Sequence, residues 1–210
     1  MFTGLITAVG TITGTTPLGA DNQYGKRVGV QVDPQWLRGV QLGDSIAVSG
    51  ACMTVVELQP DGFAFDISAE SLARTTGLDT VGGLVNLEQS LSLATKLGGH
   101  LVTGHVDGIG QVARFEPVGE SWLLEVDAPA ELGKFFAYKG SIAVNGVSLT
   151  VNRADDLPQH CRVRINLIPH TLQHTNLHRL RAGAAVNLEV DLIARYVERM
   201  LNFNRSQPHV

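Results

Sequence analysis

Five side chains have the chemistry for catalysis: the Cys52 thiol, the His105 imidazole, the Lys139 ammonium, the Ser148 hydroxyl and the Asp191 carboxylate. Their spacing has meaning because the chain repeats itself. Phe2–Gly10 matches Val102–Gly110, Ser45–Val55 matches Ser141–Val151, and Val85-Asn86-Leu87-Glu88 matches Val186-Asn187-Leu188-Glu189. Positions that serve the fold or a shared ligand match between the copies, whereas positions that serve one-sided chemistry differ. Thr54 pairs with Thr150 and Ser45 with Ser141, but Cys52 stands against Ser148, His105 against Leu5 and Lys139 against Gly43. Histidine titrates near neutrality and suits proton transfer. Each residue also has a plainer reading: Cys52 as a small buried hydrophobe, His105 as a structural histidine in a strand, Lys139 as a solvated lysine at a turn, Ser148 and Thr150 as hydroxyls facing water.

Other chemistries have weaker support. His170, His174 and His178 follow one another at four-residue spacing, but Pro169 limits a long helix and no zinc-type spacing completes the set. His100 and His105 are five apart, which in a strand places them on opposite faces. No metal is therefore expected. GxGxxG, GxxxxGK[ST] and GxSxG are missing, so a nucleotide-binding α/β unit or an α/β-hydrolase is not expected.

The elements that position these residues follow from composition and pattern. Glycine is 23 of 210 residues, aromatic residues are 6% and the formal net charge is −4. That balance favours short strands and tight turns and argues against a nucleic-acid footprint. No apolar run approaches the ~20 residues needed to span a bilayer, the first residues do not read as a signal peptide, and two isolated cysteines form no framework. A soluble, cytoplasmic protein with free thiols is expected.

The repeat divides the chain into residues 1–99, 100–190, a helix at 191–204 and a flexible tail at 205–210, with the boundary near Leu97-Gly98-Gly99. A long period with two copies indicates domain duplication. In copy one, Leu5–Ile12, Arg27–Val32, Ser45–Gly50, Cys52–Leu58, Gly62–Ile67 and Leu84–Leu91 alternate or run apolar between turn residues. Six strands per copy predict a mainly β protein: two tandem six-stranded antiparallel barrels of Greek-key type, which leave no open sheet edges, plus the C-terminal α-helix. Short helices are expected at Asp33-Pro34 and after Ser68 in copy one, and at Pro169 in copy two. Leu192, Ile193, Tyr196, Val197, Met200 and Leu201 form an apolar stripe, with Asp191 placed at the helix N-terminus. Such a stripe packs either on its own domain or on another subunit.

Met1-Phe2-Thr3-Gly4, Gly43–Val48, Gly99-His100-Leu101-Val102-Thr103-Gly104-His105-Val106-Asp107, Lys139–Val151 and Ile168-Pro169-His170-Thr171, in that order, resemble the riboflavin synthase family (alpha chain) from Met1 to about Asn204. The resemblance implies dismutation of two molecules of 6,7-dimethyl-8-ribityllumazine to riboflavin and 5-amino-6-(D-ribitylamino)uracil, with no cofactor. It implies a homotrimer held partly by its C-terminal helices, with active sites between neighbouring subunits. Carried over by motif, the copy-one pocket comprises Gly4, Leu5, Ile6, Ser45, Cys52, Met53, Thr54, Asp66, Ile67, Ser68, Ala69, Glu70 and Ser71. The copy-two pocket comprises Gly104, His105, Val106, Lys139, Ser148, Leu149, Thr150, Asn166, Leu167, Ile168, Pro169, His170 and Thr171. Cys52, His105, Ser148 and Asp191 are expected nearest the reacting atoms. Two departures, Ser49 where the family commonly has Asn and Met53 in place of Leu, fall beside Cys52. The alternative is a non-catalytic carrier of lumazine or flavin on the same fold.

Overall fold

The computed structural model describes residues 1–21 and 23–205. Copy one forms β1 (Ala8–Pro17), β2 (Lys26–Gln31), β3 (Ser45–Val48), β4 (Ala51–Gln59), β5 (Gly62–Ile67), a short helix α1 (Ala69–Arg74) and β6 (Leu84–Gln89). Copy two repeats the pattern as β7 (Gly108–Val118), β8 (Ser121–Pro129), β9 (Ser141–Val144), β10 (Val147–Asp156), β11 (His160–Leu167), helix α2 (Pro169–His174) and β12 (Ala185–Val190). Both sets close into six-stranded barrels, in the order β1-β2-β5-β4-β3-β6 and, for the second, β10-β11-β8-β7-β12-β9. All pairings are antiparallel, and bulges at equivalent places (Ile12/Gly14 and Val112/Arg114, Val55/Glu57 and Val151/Arg153) add the local twist that closure needs.

Alternation along β4 and β10 sets the later chemistry. Ala51, Met53 and Val55 point into the first barrel while Cys52 and Thr54 point out; Val147, Leu149 and Val151 point in while Ser148 and Thr150 point out. The inward set joins Phe63, Phe65 and Leu87 in one core and Leu124, Val126 and Leu188 in the other. Ile67 and Leu167, expected to line the pockets, are fully buried, so their side chains belong to these cores.

A third cluster, Phe2, Ala47, Val102 and Ala143, lies at the seam between the barrels. Phe2 pairs antiparallel with Val102 through Phe2 N–H to Val102 O (2.7 Å) and Val102 N–H to Phe2 O (3.1 Å). Complete burial of the Phe2 ring contributes on the order of 2–3 kcal/mol. Asn86 and Asn187 staple the seam: Asn86 Nδ2 donates to Asn145 O (2.9 Å), and Asn187 Nδ2 to Ser49 O (3.0 Å).

Several expected boundaries shift. The first strand begins at Ala8, not Leu5, because residues 2–6 run as an arm along the seam before Thr7 N–H rejoins Leu87 O of its own barrel (3.0 Å), and residues 102–106 do the same before Asp107 N–H meets Leu188 O (2.8 Å). His105 therefore lies just after the bend at Gly104 rather than in a strand. Strand three ends at Val48, since Ser49 (φ 42°) and Gly50 (φ 88°) form the hairpin turn, and strand six ends at Gln89. Asp33-Pro34 starts a run of turns, not a helix: Asp33 Oδ1 accepts from Gln35 N–H (2.7 Å) and no helical ladder follows. Copy two has a 3-10 helix in this place, Ala130–Phe135. Ser68 caps α1 by accepting from Ser71 N–H, and Pro169 opens α2.

The terminal helix α3 (Leu192–Arg205) takes in Arg205, and the remainder of the expected tail lies outside the described residues. It docks through its polar face: Arg195 pairs with Asp107 (2.8 Å) and Lys134 with Glu198 (2.5 Å). Ile193, Tyr196, Val197, Met200 and Leu201 are left exposed. Among the described residues no helix is long and apolar enough to cross a membrane.

Two candidate ligand seats at the barrel seam

Each arm turns on a glycine and crosses to the other barrel. Gly4 (φ 74°) and Gly104 (φ 79°) occupy the left-handed region, where L side chains are strained. Cys52 N–H donates to Gly104 O (2.8 Å) and Ser148 N–H donates to Gly4 O (2.8 Å). A Cβ on Gly104 would lie 2.7 Å from Cys52 Cβ, and one on Gly4 would lie 2.6 Å from Ser148 Cβ. Ile6 packs on the second core and Val106 on the first. The motif-based grouping is therefore exchanged: Gly104–Val106 belong with Cys52, and Gly4–Ile6 with Ser148. The exchange follows from the antiparallel Phe2–Val102 pairing, which sends each arm past the seam.

The first seat is a cavity of about 240 Å³ whose lining includes Cys52, Met53, Glu70, Ser71, Arg74, Gly104, His105 and Val106. The Cys52 side chain is half-buried and His105 is exposed. Met53, although its side chain turns inward, still contributes to the wall. Thr54 lies one alternate position along the strand, opposite Ser45. Asp66 is tied to Arg27 (2.8 and 3.0 Å), whose guanidinium holds its carboxyl below the ordinary value; Ala69 begins α1 beside the capping Ser68. The other thiol, Cys161, has no exposure; burial, aided by Asp156, pushes its pKa up to about 12. Cys52 is thus the thiol open to chemistry.

The second seat centres on Ser148, whose Oγ lies 2.7 Å from His100 Nδ1. His100 is 91% buried (9% exposed), and its Nε2 meets no protein partner among the described residues. Burial pushes its pKa down, opposed by the charge of Asp191. Asp191 also accepts from Ile193 N–H (2.9 Å) and so caps α3. Lys139 is exposed at φ 64°, the turn that Gly43 occupies in copy one at φ 89°; both N–H groups bond equivalent carbonyls, Val151 O and Val55 O. A lysine in that conformation costs about 1–2 kcal/mol. Leu149 points into the core, Thr150 lies opposite Ser141, and Asn166, Ile168, Pro169 and His170 are exposed around half-buried Thr171. His170 stacks on His174, ring centroids 4.0 Å apart, and no three His, Cys, Asp or Glu among the described residues are grouped to hold a metal.

Sequence reasoning reaches His100 only as a candidate metal ligand, because nothing in its spacing points to Ser148, 48 residues away. A larger cleft, about 600 Å³, runs along the outer wall of the second barrel by Arg114, Arg153, Arg162 and Arg164. Its arginines are paired with Glu116, Asp155, Asp127 and Glu125, which leaves little charge to attract a ligand.

Two seats at equivalent places on duplicated barrels define a class. The lumazine binding domain matches residues 3–90 and 103–191, once per barrel. Structures of LumP complexed with 6,7-dimethyl-8-(1'-D-ribityl) lumazine and with riboflavin share the fold, with TM-scores of 0.76 and 0.78, each at 28% identity over 90% of this chain and 99% of theirs. Similarity to riboflavin synthases is higher. The Photobacterium phosphoreum enzyme is 40% identical over 96% of this chain and 89% of its own, and that of Mycobacterium tuberculosis 40% over 96% and 98%. Bacillus subtilis riboflavin synthase is 36% identical over 99% and 94%. The chain belongs to the riboflavin synthase family.

Proposed function

We propose that this protein dismutates two molecules of 6,7-dimethyl-8-ribityllumazine. One donates a four-carbon unit to the other, giving riboflavin and 5-amino-6-(D-ribitylamino)uracil. Two molecules enter and two leave with no net oxidation, so no cofactor is consumed. The observation that carries this reading is the pair of equivalent seats with unlike chemistry, Cys52 with His105 and Ser148 with His100. One substrate in two roles needs two places that bind it alike and treat it differently. Holding both molecules in register supplies up to ~7–11 kcal/mol of the barrier.

The reaction requires a base for the acidic methyl on ring carbon 7 and a nucleophile that adds at that carbon. Cys52, His105, Ser148 and Asp191 are assigned to those steps. Strand-edge hydroxyls such as Thr54 and Thr150 are assigned to the ribityl chain, and Lys139 to the second ligand.

A homotrimer with active sites between subunits supports this chemistry. The 240 Å³ cavity at Cys52 is smaller than the ~300–1,000 Å³ typical of small-molecule sites, so a lumazine there would remain partly uncovered by one chain. The outward apolar stripe of α3 offers a surface for the partner subunits. Two free thiols accord with a cytoplasmic setting. The carrier reading is disfavoured because copy two keeps its polar set and identity to the synthases exceeds that to LumP.

The purified protein, given the lumazine alone, is expected to accumulate the yellow flavin at half the amount of lumazine consumed. It is expected to sediment as a trimer that dissociates when Leu192–Val210 is removed. Tight binding without turnover would establish the carrier instead.

A further inference from the structure

The repeated Val-Asn-Leu-Glu motif ends in two carboxylates that no step above uses. Glu88 and Glu189 are 96% and 97% buried (4% and 3% exposed), yet neither forms an ion pair with a side chain among the described residues, and only the N-terminal ammonium acts on Glu88, as a minor influence. Each instead accepts three hydrogen bonds from the start of an arm. Glu189 Oε1 accepts from Thr103 N–H (2.6 Å) and Thr103 Oγ1–H (2.7 Å), and Oε2 from Gly104 N–H (2.9 Å). Glu88 repeats this with Thr3 N–H (2.7 Å), Thr3 Oγ1–H (2.6 Å) and Gly4 N–H (2.9 Å). Burial pushes both carboxyls above their ordinary value, and the three donors pull the other way. A buried carboxylate without a cation is costly unless its oxygens are satisfied in this manner.

The clamped residues are the ones that reach the seats. Gly104 O accepts from Cys52 N–H and His105 follows immediately, whereas Gly4 O accepts from Ser148 N–H and Leu5 follows. We infer that Glu189 is a positioning residue for the Cys52 seat, fixing the arm that sets His105 beside the Cys52 thiol, and that Glu88 does the same for the Ser148 seat. A carboxylate suits the task because both of its oxygens accept. Glutamine would place an amide N–H₂ against the N–H of Gly104, donor facing donor, and push the arm away from Cys52.

This inference rests on the proposed role of the Cys52 seat, so its test reads the clamp without turnover. Cys52 alkylation by iodoacetamide is measured in the full chain, with a Cys52→Ser control to confirm the site. In Glu189→Gln the rate is expected to rise about tenfold, the scale of one lost charge-assisted hydrogen bond, while Glu88→Gln leaves it within about twofold. In turnover, Glu189→Gln is expected to lower kcat more than it raises KM. Should Glu189→Gln fail to fold, Thr103→Ala, which removes a single bond to Glu189, is expected to accelerate alkylation by about threefold. A folded Glu189→Gln with unchanged Cys52 reactivity, equal effects of Glu88→Gln and Glu189→Gln, or an unmoved Thr103→Ala would each overturn the assignment. Absence of turnover in the unaltered protein would count against the proposed reaction and leave the alkylation result standing.

Discussion

The arm of copy one and the arm of copy two are held by the same three bonds to a buried glutamate, turn on the same left-handed glycine, and present a carbonyl to the same position of the facing barrel. They then carry different side chains: Leu5 follows Gly4, whose carbonyl meets Ser148, and His105 follows Gly104, whose carbonyl meets Cys52. The backbone is shared and the reactive groups are not. Under the proposed reaction, two unlike seats need no asymmetric fold, since a few side chains on a near-symmetric frame distinguish them.

The largest disturbance of that comparison is expected from the frame itself. Gly104→Ala and Gly4→Ala each force a Cβ to within 2.7 and 2.6 Å of the neighbouring Cβ. The left-handed penalty of about 1–2 kcal/mol combines with overpacking of about 1–3 kcal/mol. Chemical denaturation is expected to show losses of similar size in both variants; markedly unequal losses would mean the frame is not shared energetically.

A smaller effect separates the payloads. His105→Ala is expected to lower single-turnover flavin formation by about 100-fold, the range of a lost acid–base group. Leu5→Ala is expected to stay within about threefold, the worth of an exposed apolar side chain. Fluorescence titration of lumazine is expected to change little in His105→Ala. If the two variants lost activity equally, the arms would differ in sequence but not in role.

The smallest effect concerns His100. Burial lowers its folded-state pKa below the ordinary 6.5. Between the two values the unfolded chain binds more protons, so stability rises with pH through that window and is lost as the pH falls back through it. His100→Gln is expected to flatten this slope by at most about 1.4 kcal/mol per pH unit, the limit for one proton. Denaturation midpoints from pH 5 to 7.5 would read it, and parallel profiles for the two proteins would remove His100 as the source.

Much of the architecture was legible in the residues. Alternation over Cys52–Leu58 marked β4 and which side chains point outward, and Ser68 and Pro169 marked the short helices. The path of the arms was not legible. Leu5–Ile12 reads as one strand, and only the long-range pairing of Phe2 with Val102 draws Leu5 and Ile6 into the arm. That one contact also exchanged the seat assignments of Gly4–Ile6 and Gly104–Val106. The stripe of α3 was visible, but the ion pairs from Asp107 and Lys134 decide which face docks, and both lie far away in sequence. Glu88 and Glu189 were noticed as repeats; their burial against N–H donors could be learned only from three dimensions.

The reciprocal Phe2–Val102 contact has a consequence for descent. An interface in which each copy gives an arm to the other has the form of a two-fold homodimer, where identical patches meet. Two separate, identical chains in that arrangement would carry the same residue on both arms and the same nucleophile in both seats. Joining them through residues 90–101 lets one half mutate while the other stays as it was. Joined in one chain, the two halves are free to differ, as they do at His105 against Leu5 and Cys52 against Ser148.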